Sequence, residues 1–424
     1  MLLLDIKCVK YSLPNGLEVI LHKNNSFPLV AVNLWYKVGS AQEEKGKTGL
    51  AHLFEHMMFQ GSEHVPKEMH FKLIQEAGGT LNGSTSFDRT NYFEKLPSNE
   101  LELALWLESD RMGFLLNSLD QLKLDNQKNV VYNERLERYD NQPYGLAWEI
   151  LLSNLYPEGH PYSWATIGYL DDIKNYNLED VENFFRKYYS PNNASLVVAG
   201  DFDLSTAKNL ISKYFQPIQS NSILNNFSID EGKLKFSKKI THKDNVQLER
   251  LYLAWHTVKA FQEDDSSLDI LSDVLAGSKN SRLYKKLVFE LEIAQDIYAM
   301  QFSGKYAGHF MIVATAKPGK SLDQINNVIE KEIELITNNG VKKRELQKSK
   351  NGIKSSFIYS LQNLDTLADH LNLYNFYFDK PNSFMFDLER YNSINENDVE
   401  QAAAKYLKAN FVELRIVPKG KNGS

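Results

Sequence analysis

An α+β fold made of two related halves is what this sequence predicts, and three observations lead there. Its 424 residues exceed what one ordinary core accommodates, which points to two or more domains or repeats. Strand-like and helix-like patterns alternate, and the order strand, connection, helix around residues 30–58 returns at 251–275, after a polar stretch over 217–230 that reads as a linker. Each half also closes on an apolar strand-like run, 196–199 in the first and 412–417 in the second. An internal duplication of about 200 residues follows, with modules at 1–220 and 221–424.

Residues 11–22, YSLPNGLEVILH, carry a Pro-Asn-Gly turn signal between strand-like runs and read as a hairpin. Residues 30–38, VAVNLWYKV, are β-branched or aromatic and read as a strand. Residues 50–58 follow the i, i+3, i+4, i+7, i+8 rule with Leu50, Leu53, Phe54, Met57 and Met58, a helix with one buried face. A helix over 67–77 stops at Gly78-Gly79. Residues 80–95, TLNGSTSFDRTNYFEK, read as two strands joined by a turn at 86–89. Helical patterns cover 101–114 and 119–138, the latter ending at a turn signal, Asp140-Asn141-Gln142-Pro143. Residues 178–201 read as helix, Pro-Asn-Asn turn and buried strand, and in the second half 251–258 read as a strand and 268–275 as a helix.

Composition removes several function classes. At 42% hydrophobic and 24% charged residues the chain has the make-up of a globular protein, and no apolar run approaches the roughly 18 residues of a membrane span. A net charge of −6 with scattered lysines lacks the concentrated basic surface that nucleic acid requires. One cysteine, Cys8, permits neither an internal disulfide nor a thiolate-rich zinc site, so any metal here is held by histidine and carboxylate. Gly46-Lys47-Thr48 resembles the end of a phosphate-binding loop, but that motif needs a glycine where Ala41 stands. The start, MLLLDIKCVKYSLPNG, has no apolar core of about 7–15 residues, so a cytoplasmic protein is expected; a removed leader, periplasmic or mitochondrial, stays open.

The chemistry concentrates in LAHLFEHMMFQGS, residues 50–62. At about 100° per residue, His52, Glu55 and His56 leave the helix opposite its apolar face. Two imidazoles one turn apart can meet one metal ion, and the carboxylate between them can reach a water attacking nearby. The five-residue pattern alone arises by chance in roughly one or two such chains per hundred, so it needs a third ligand. A carboxylate on the helix over 119–138 is the natural source, and Glu134 and Glu137 stand equal there, three residues apart on one face. The hairpin over 80–95 is either ordinary or an edge strand that pairs with an extended peptide.

These stretches resemble a known family, the inverted-motif zinc peptidases (inverzincins) that include pitrilysin, insulin-degrading enzyme and the mitochondrial processing peptidase β subunit. The resemblance rests on HLFEH at 52–56, GGTLNGSTSFDRTNYF at 78–93, VVYNERLERYDNQPYG at 130–145, HPY at 160–162 and FFRKYYSPNNASLVVAGD at 184–201. It implies two homologous modules, each an antiparallel-rich sheet covered by helices, with metal only in the first. By that resemblance His52, His56 and Glu134 hold one Zn2+ per chain, Glu55 is the general base, and Asn82, Gly83, Ser84 and Thr85 align the substrate backbone. Gln127 stands where some members have a supporting glutamate, and its amide can still hydrogen-bond beside the ligands.

A second departure concerns partners. Members active on their own carry an Arg and a Tyr seven residues apart in the second half, and alignment through Arg282-Leu283-Tyr284 puts Val288 and Gln295 there. The expectation is a zinc endopeptidase subunit acting on peptides or unfolded segments, closest to the zinc-bearing subunit of bacterial heterodimeric members. Its partner is a homologue that supplies the Arg and Tyr. A self-sufficient homodimer and a non-catalytic structural subunit are the alternatives, and the intact His52, Glu55, His56 and Glu134 speak against the latter.

Overall fold

Two mixed sheets with matching topology organise the protein, for which the computed structural model describes residues 4–221, 229 and 232–419. The first sheet contains β1 (Val9–Ser12), β2 (Glu18–Lys23), β3 (Leu29–Tyr36), β4 (Thr80–Thr85), β5 (Thr90–Pro97) and β6 (Ala194–Gly200). The second contains β7 (Lys238–Asp244), β8 (Arg250–Thr257), β9 (Ala294–Ser303), β10 (Gly308–Ala316) and β11 (Phe411–Pro418). Their orders are β1-β2-β6-β3-β5-β4 and β7-β11-β8-β10-β9. With β1 set aside, each strand of the first has a counterpart at the same place in the second. The single parallel pair recurs as well, β2 with β6 and β7 with β11, every other pairing being antiparallel. The two modules are homologous, each a mixed sheet flanked by helices, as the repeated pattern predicts.

Local chemistry explains the elements. β6 is buried along its whole length, which its unbroken run Ser195-Leu196-Val197-Val198-Ala199 requires of a strand covered on both faces. The hairpin of β1 and β2 turns through Gly16, whose φ of 86° suits glycine. The helix Gln121–Arg135 continues into a π-helical turn at Leu136–Asp140. Most of the predicted linker lies outside the described residues.

Chain order and spatial grouping differ. One compact unit comprises Met1–Arg135, Ala165–Phe227 and Phe357–Phe386, and the other Leu136–Trp164, Ser228–Ser356 and Asp387–Ser424. In the first, the helix Leu364–Phe378 lies on β3 and β6 through a polar face. Asp365 pairs with Lys95 at 2.6 Å, and Asp369 accepts from Trp35 Nε1 at 2.9 Å. Asn372 accepts from Ser195 at 2.6 Å and donates to the Asn33 carbonyl at 3.0 Å, and Asn375 donates to Glu18 at 3.2 Å. These positions lie at i, i+4, i+7 and i+10, one stripe of a helix. In the second unit, the helix Ala147–Leu155 packs on β8 and β11.

In the second unit the helix Asp265–Ala276 follows β8 as the His52 helix follows β3, and it carries no histidine. Its Asp269 accepts a hydrogen bond from Tyr391 at 2.7 Å, and burial, then the charge of Asp265, push its carboxyl up to about 7. A carboxyl whose folded value is raised keeps its proton while the unfolded chain, titrating near about 3.9, gives it up. Stability from this group is therefore greatest below pH 4 and declines as pH rises to about 7. Asp269→Asn is expected to remove that slope and to raise Tm at pH 8 by about 2–4 °C, read by thermal melts of both proteins from pH 4 to 8. Parallel Tm curves for the two proteins would refute it.

Candidate metal centre

The helix Leu50–Met57 is fixed at both its start and its buried face. Buried Glu43 accepts from the Gly49 and Ala51 backbone N–H groups, each at 2.8 Å, so a carboxylate satisfies donors that a helix start leaves open. Gly49 has φ 92°, and a Cβ there would sit 2.5 Å from the Ile167 carbonyl oxygen. Thr48, just upstream, donates to Asp172 at 2.6 Å. On the buried face Phe54 packs against Phe184, Phe185 and Tyr189, with ring centroids 5.0–5.8 Å apart.

Opposite that face, His52 and His56 meet Glu134 of the helix Gln121–Arg135. His56 Nε2 lies 3.2 Å from Glu134 Oε2, and His52 Nε2 lies 3.9 Å from Oε1. One ligand atom of each of the three lies within 4.8 Å of the others. Tetrahedral zinc with bonds of about 2.0–2.2 Å separates neighbouring ligand atoms by about 3.4 Å, so this donor set fits the ion. Glu137, equal to Glu134 in the sequence, is exposed and outside the cluster. Gln127, two helical turns before Glu134, is buried.

Glu55 faces the hairpin of β4 and β5. Its Oε2 accepts from the Thr85 hydroxyl at 2.6 Å. Burial pushes its carboxyl above the usual range, opposed by Thr85 and by His56. β4 is an edge strand paired with β5 alone, with Asn82 opposite Phe93 and Ser84 opposite Asn91. The Ser86 N–H bonds to the Arg89 carbonyl at the turn. Alternation from that bond directs the backbone groups of Gly83 and Thr85 away from β5 and those of Asn82 and Ser84 toward it. Gly83 lies close under the helix, where a Cβ would be 3.2 Å from Glu55 Cγ and 3.3 Å from the Phe59 and Tyr92 rings. The turn docks on the loop before the helix, since Ser40 and Ala41 donate to the carbonyls of Ser86 and Phe87 and a Cβ on Gly39 would overlap both.

Among the described residues a second group of ligand-type side chains lies at His70, Glu94 and Glu108, all buried. A cation already occupies it: Arg111 donates from Nε to Glu108 at 2.8 Å, and its guanidinium lies 4.3 Å from the Tyr92 ring centroid. Burial, then Arg111, lowers His70 to about 3, and burial raises both glutamates; the Arg111 guanidinium also lies 5.1 Å from the Phe59 ring centroid, so the cluster is a buried ion-pair network built around that cation. No local pattern in residues 101–114 marks this cluster, because Arg111 meets Glu94 of β5 only through the fold.

Residues 18–162 match the family described as insulinase (peptidase family M16), and residues 175–353 match the peptidase M16 inactive domain. The zinc protease PqqE of Helicobacter pylori is 31% identical over 364 residues, which cover 84% of this chain and 81% of that protein. The probable mitochondrial-processing peptidase subunit beta of Arabidopsis thaliana is 23% identical over 413 residues, covering 93% and 75%. The crystal structure of a protease from Helicobacter pylori superposes with a TM-score of 0.90 at 28% identity, covering 98% of this chain and all of that one.

Proposed function

The chain belongs to the insulinase family of zinc proteases, peptidase M16, and from that membership we propose that it is the zinc-bearing subunit of a heterodimeric endopeptidase. The convergence of His52, His56 and Glu134 beside Glu55 is the observation that carries this reading. These three would hold Zn2+, which when bound polarises the scissile carbonyl and acidifies the attacking water. Glu55 takes a proton from that water and passes it to the leaving amine. Thr85 fixes the carboxylate's orientation, and β4 offers its free edge to an extended peptide, giving affinity with little sequence preference. Peptides and unfolded segments are the substrate class that such pairing admits.

Residues 1–220 and 221–424 are, in this reading, the zinc-binding module and its homologue without metal ligands. No helix among the described residues is long and apolar enough to cross a membrane.

The test is metal analysis together with cleavage of a quenched peptide, by the chain alone and with its homologous partner. One zinc per chain, cleavage abolished by chelation and restored by Zn2+, is expected. A chain that binds no zinc at neutral pH would rule the reading out.

Gly83→Ala offers a separate test. The added methyl presses on Glu55 and on the Phe59 and Tyr92 rings, which the 3.2–3.3 Å distances do not accommodate without movement. A shift of a few tenths of an ångström at the base is expected to lower kcat about tenfold while zinc content stays at wild-type level. Unchanged kcat would show that the strand has slack.

A further inference from the structure

We propose that Arg89 is a positioning residue that fixes the edge strand β4 and, through Thr85, aims the carboxylate of Glu55; this rests on the peptidase reading above. Arg89 is the last residue of the β4–β5 turn, half-buried, with its guanidinium 5.2 Å from the Trp35 ring centroid. The two hydrogens of its Nη1 are shared among the Ser84 carbonyl at 3.0 Å, the Ser84 hydroxyl and Asn91 Oδ1 at 3.1 Å, and the Ser84 hydroxyl in turn donates to Asn91 Oδ1 at 2.6 Å. Ser84 and Asn91 are the pair facing each other across β4 and β5, so one cation clamps both strands at the rung beside Thr85.

The clamp is anchored from behind. Asp369 accepts from Asn91 Nδ2 at 3.2 Å and from Trp35 Nε1 at 2.9 Å, and its charge is the first opposing the burial of Arg89. Glu55 follows Asp369 among the carboxylates that stabilise this cation. Arg89 thus stands between a structural carboxylate and the proposed base without touching either, and both connections run through neighbours: Asn91 and Trp35 toward Asp369, Ser84 and Thr85 toward Glu55. Removing it leaves the end of β4 held by its pairing with β5 and by the Ser84 hydroxyl on Asn91 alone, and that end includes Thr85, which donates to Glu55. A residue that served stability alone would leave Thr85 and Glu55 indifferent to its loss.

The experiment is a cycle of Arg89→Gln and Thr85→Val in the zinc-loaded chain with its partner, read by kcat, KM, zinc content and hydrogen exchange of residues 80–90. Each single substitution is expected to lower kcat about tenfold with zinc retained, and the double to fall within about twofold of the weaker single, because both interrupt one connection. Exchange of the 80–85 amides in Arg89→Gln should rise with protection elsewhere intact. Arg89→Lys, whose ammonium can donate to the same acceptors, should recover part of kcat. Losses that multiply, or a change in KM or Tm with kcat untouched, overturn the proposal while wild-type cleavage leaves the function standing. A zinc-loaded wild-type complex that cleaves nothing overturns both.

Discussion

Glu55→Gln is expected to lower kcat by about 10³-fold while zinc stays at one per chain. Glutamine keeps the side chain's length and can still accept from the Thr85 hydroxyl, so the surroundings of β4 persist. What it lacks is the ability to take a proton from water, the one role that distinguishes Glu55 from the three side chains that would hold the metal. His52, His56 and Glu134 are untouched, and the affinity of two imidazoles and a carboxylate for zinc does not depend on Glu55. Glu134→Gln sets the contrast, because an amide in place of the carboxylate leaves two good ligands and metal content is expected to drop with activity. Metal analysis beside kinetics separates the two variants. Cleavage by Glu55→Gln at more than a few per cent of the wild-type rate would rule out Glu55 as the base.

How far the sequence reaches can be judged from individual residues. The His52 helix was legible because its two faces differ in kind: Leu50, Leu53, Phe54 and Met57 are buried, and the ligand-type groups stand opposite. The hairpin over 80–95 was legible from its turn chemistry and β-branched runs, and the structure forms β4 and β5 there. Periodicity left Glu134 and Glu137 equal, because both fall on one helical face; in the fold Glu134 stands in the cluster and Glu137, in the π-helical turn that begins at Leu136, is exposed outside it. The helix Leu364–Phe378 was harder still. Its inner face presents Asp365, Asp369, Asn372 and Asn375, which read as a solvated stripe when burial is equated with apolarity. Each has its partner far away in the chain, on β2, β3, β5 or β6, and such pairing leaves no local signal. Arg89 and Arg111 were missed for the same reason, since the meaning of a charge depends on what the fold sets against it.

The purified chain alone is expected to show kcat/KM about 10²-fold or more below that of the pair with its homologous partner. In the second module Val288 is half-buried against that module's core and Gln295 is exposed at the start of β9. Neither offers the cation or the phenol that the family resemblance leads one to expect in a self-sufficient member. Of the nearby alternatives, Arg282 donates to Glu345 at 2.9 and 2.7 Å and to the Gly340 carbonyl, Tyr284 packs against the core, and Tyr298, though exposed, has Leu291 and not an arginine seven residues before it. An ion pair with two donors on one carboxylate does not release its arginine without leaving a partly buried charge behind. Installing Val288→Arg with Gln295→Tyr in a partner-free chain should then raise its activity at least about tenfold, whereas the same pair removed from the partner should depress the complex. Val288→Arg exchanges an apolar contact for a charge, so Tm is measured alongside. Full activity from the unmodified chain in monomeric form would refute the partner requirement, and full activity only as a dimer of itself would favour the homodimer instead. The two outcomes differ in concentration dependence, because a self-associating enzyme gains specific activity as its own concentration rises and a heterodimer gains it only with added homologue.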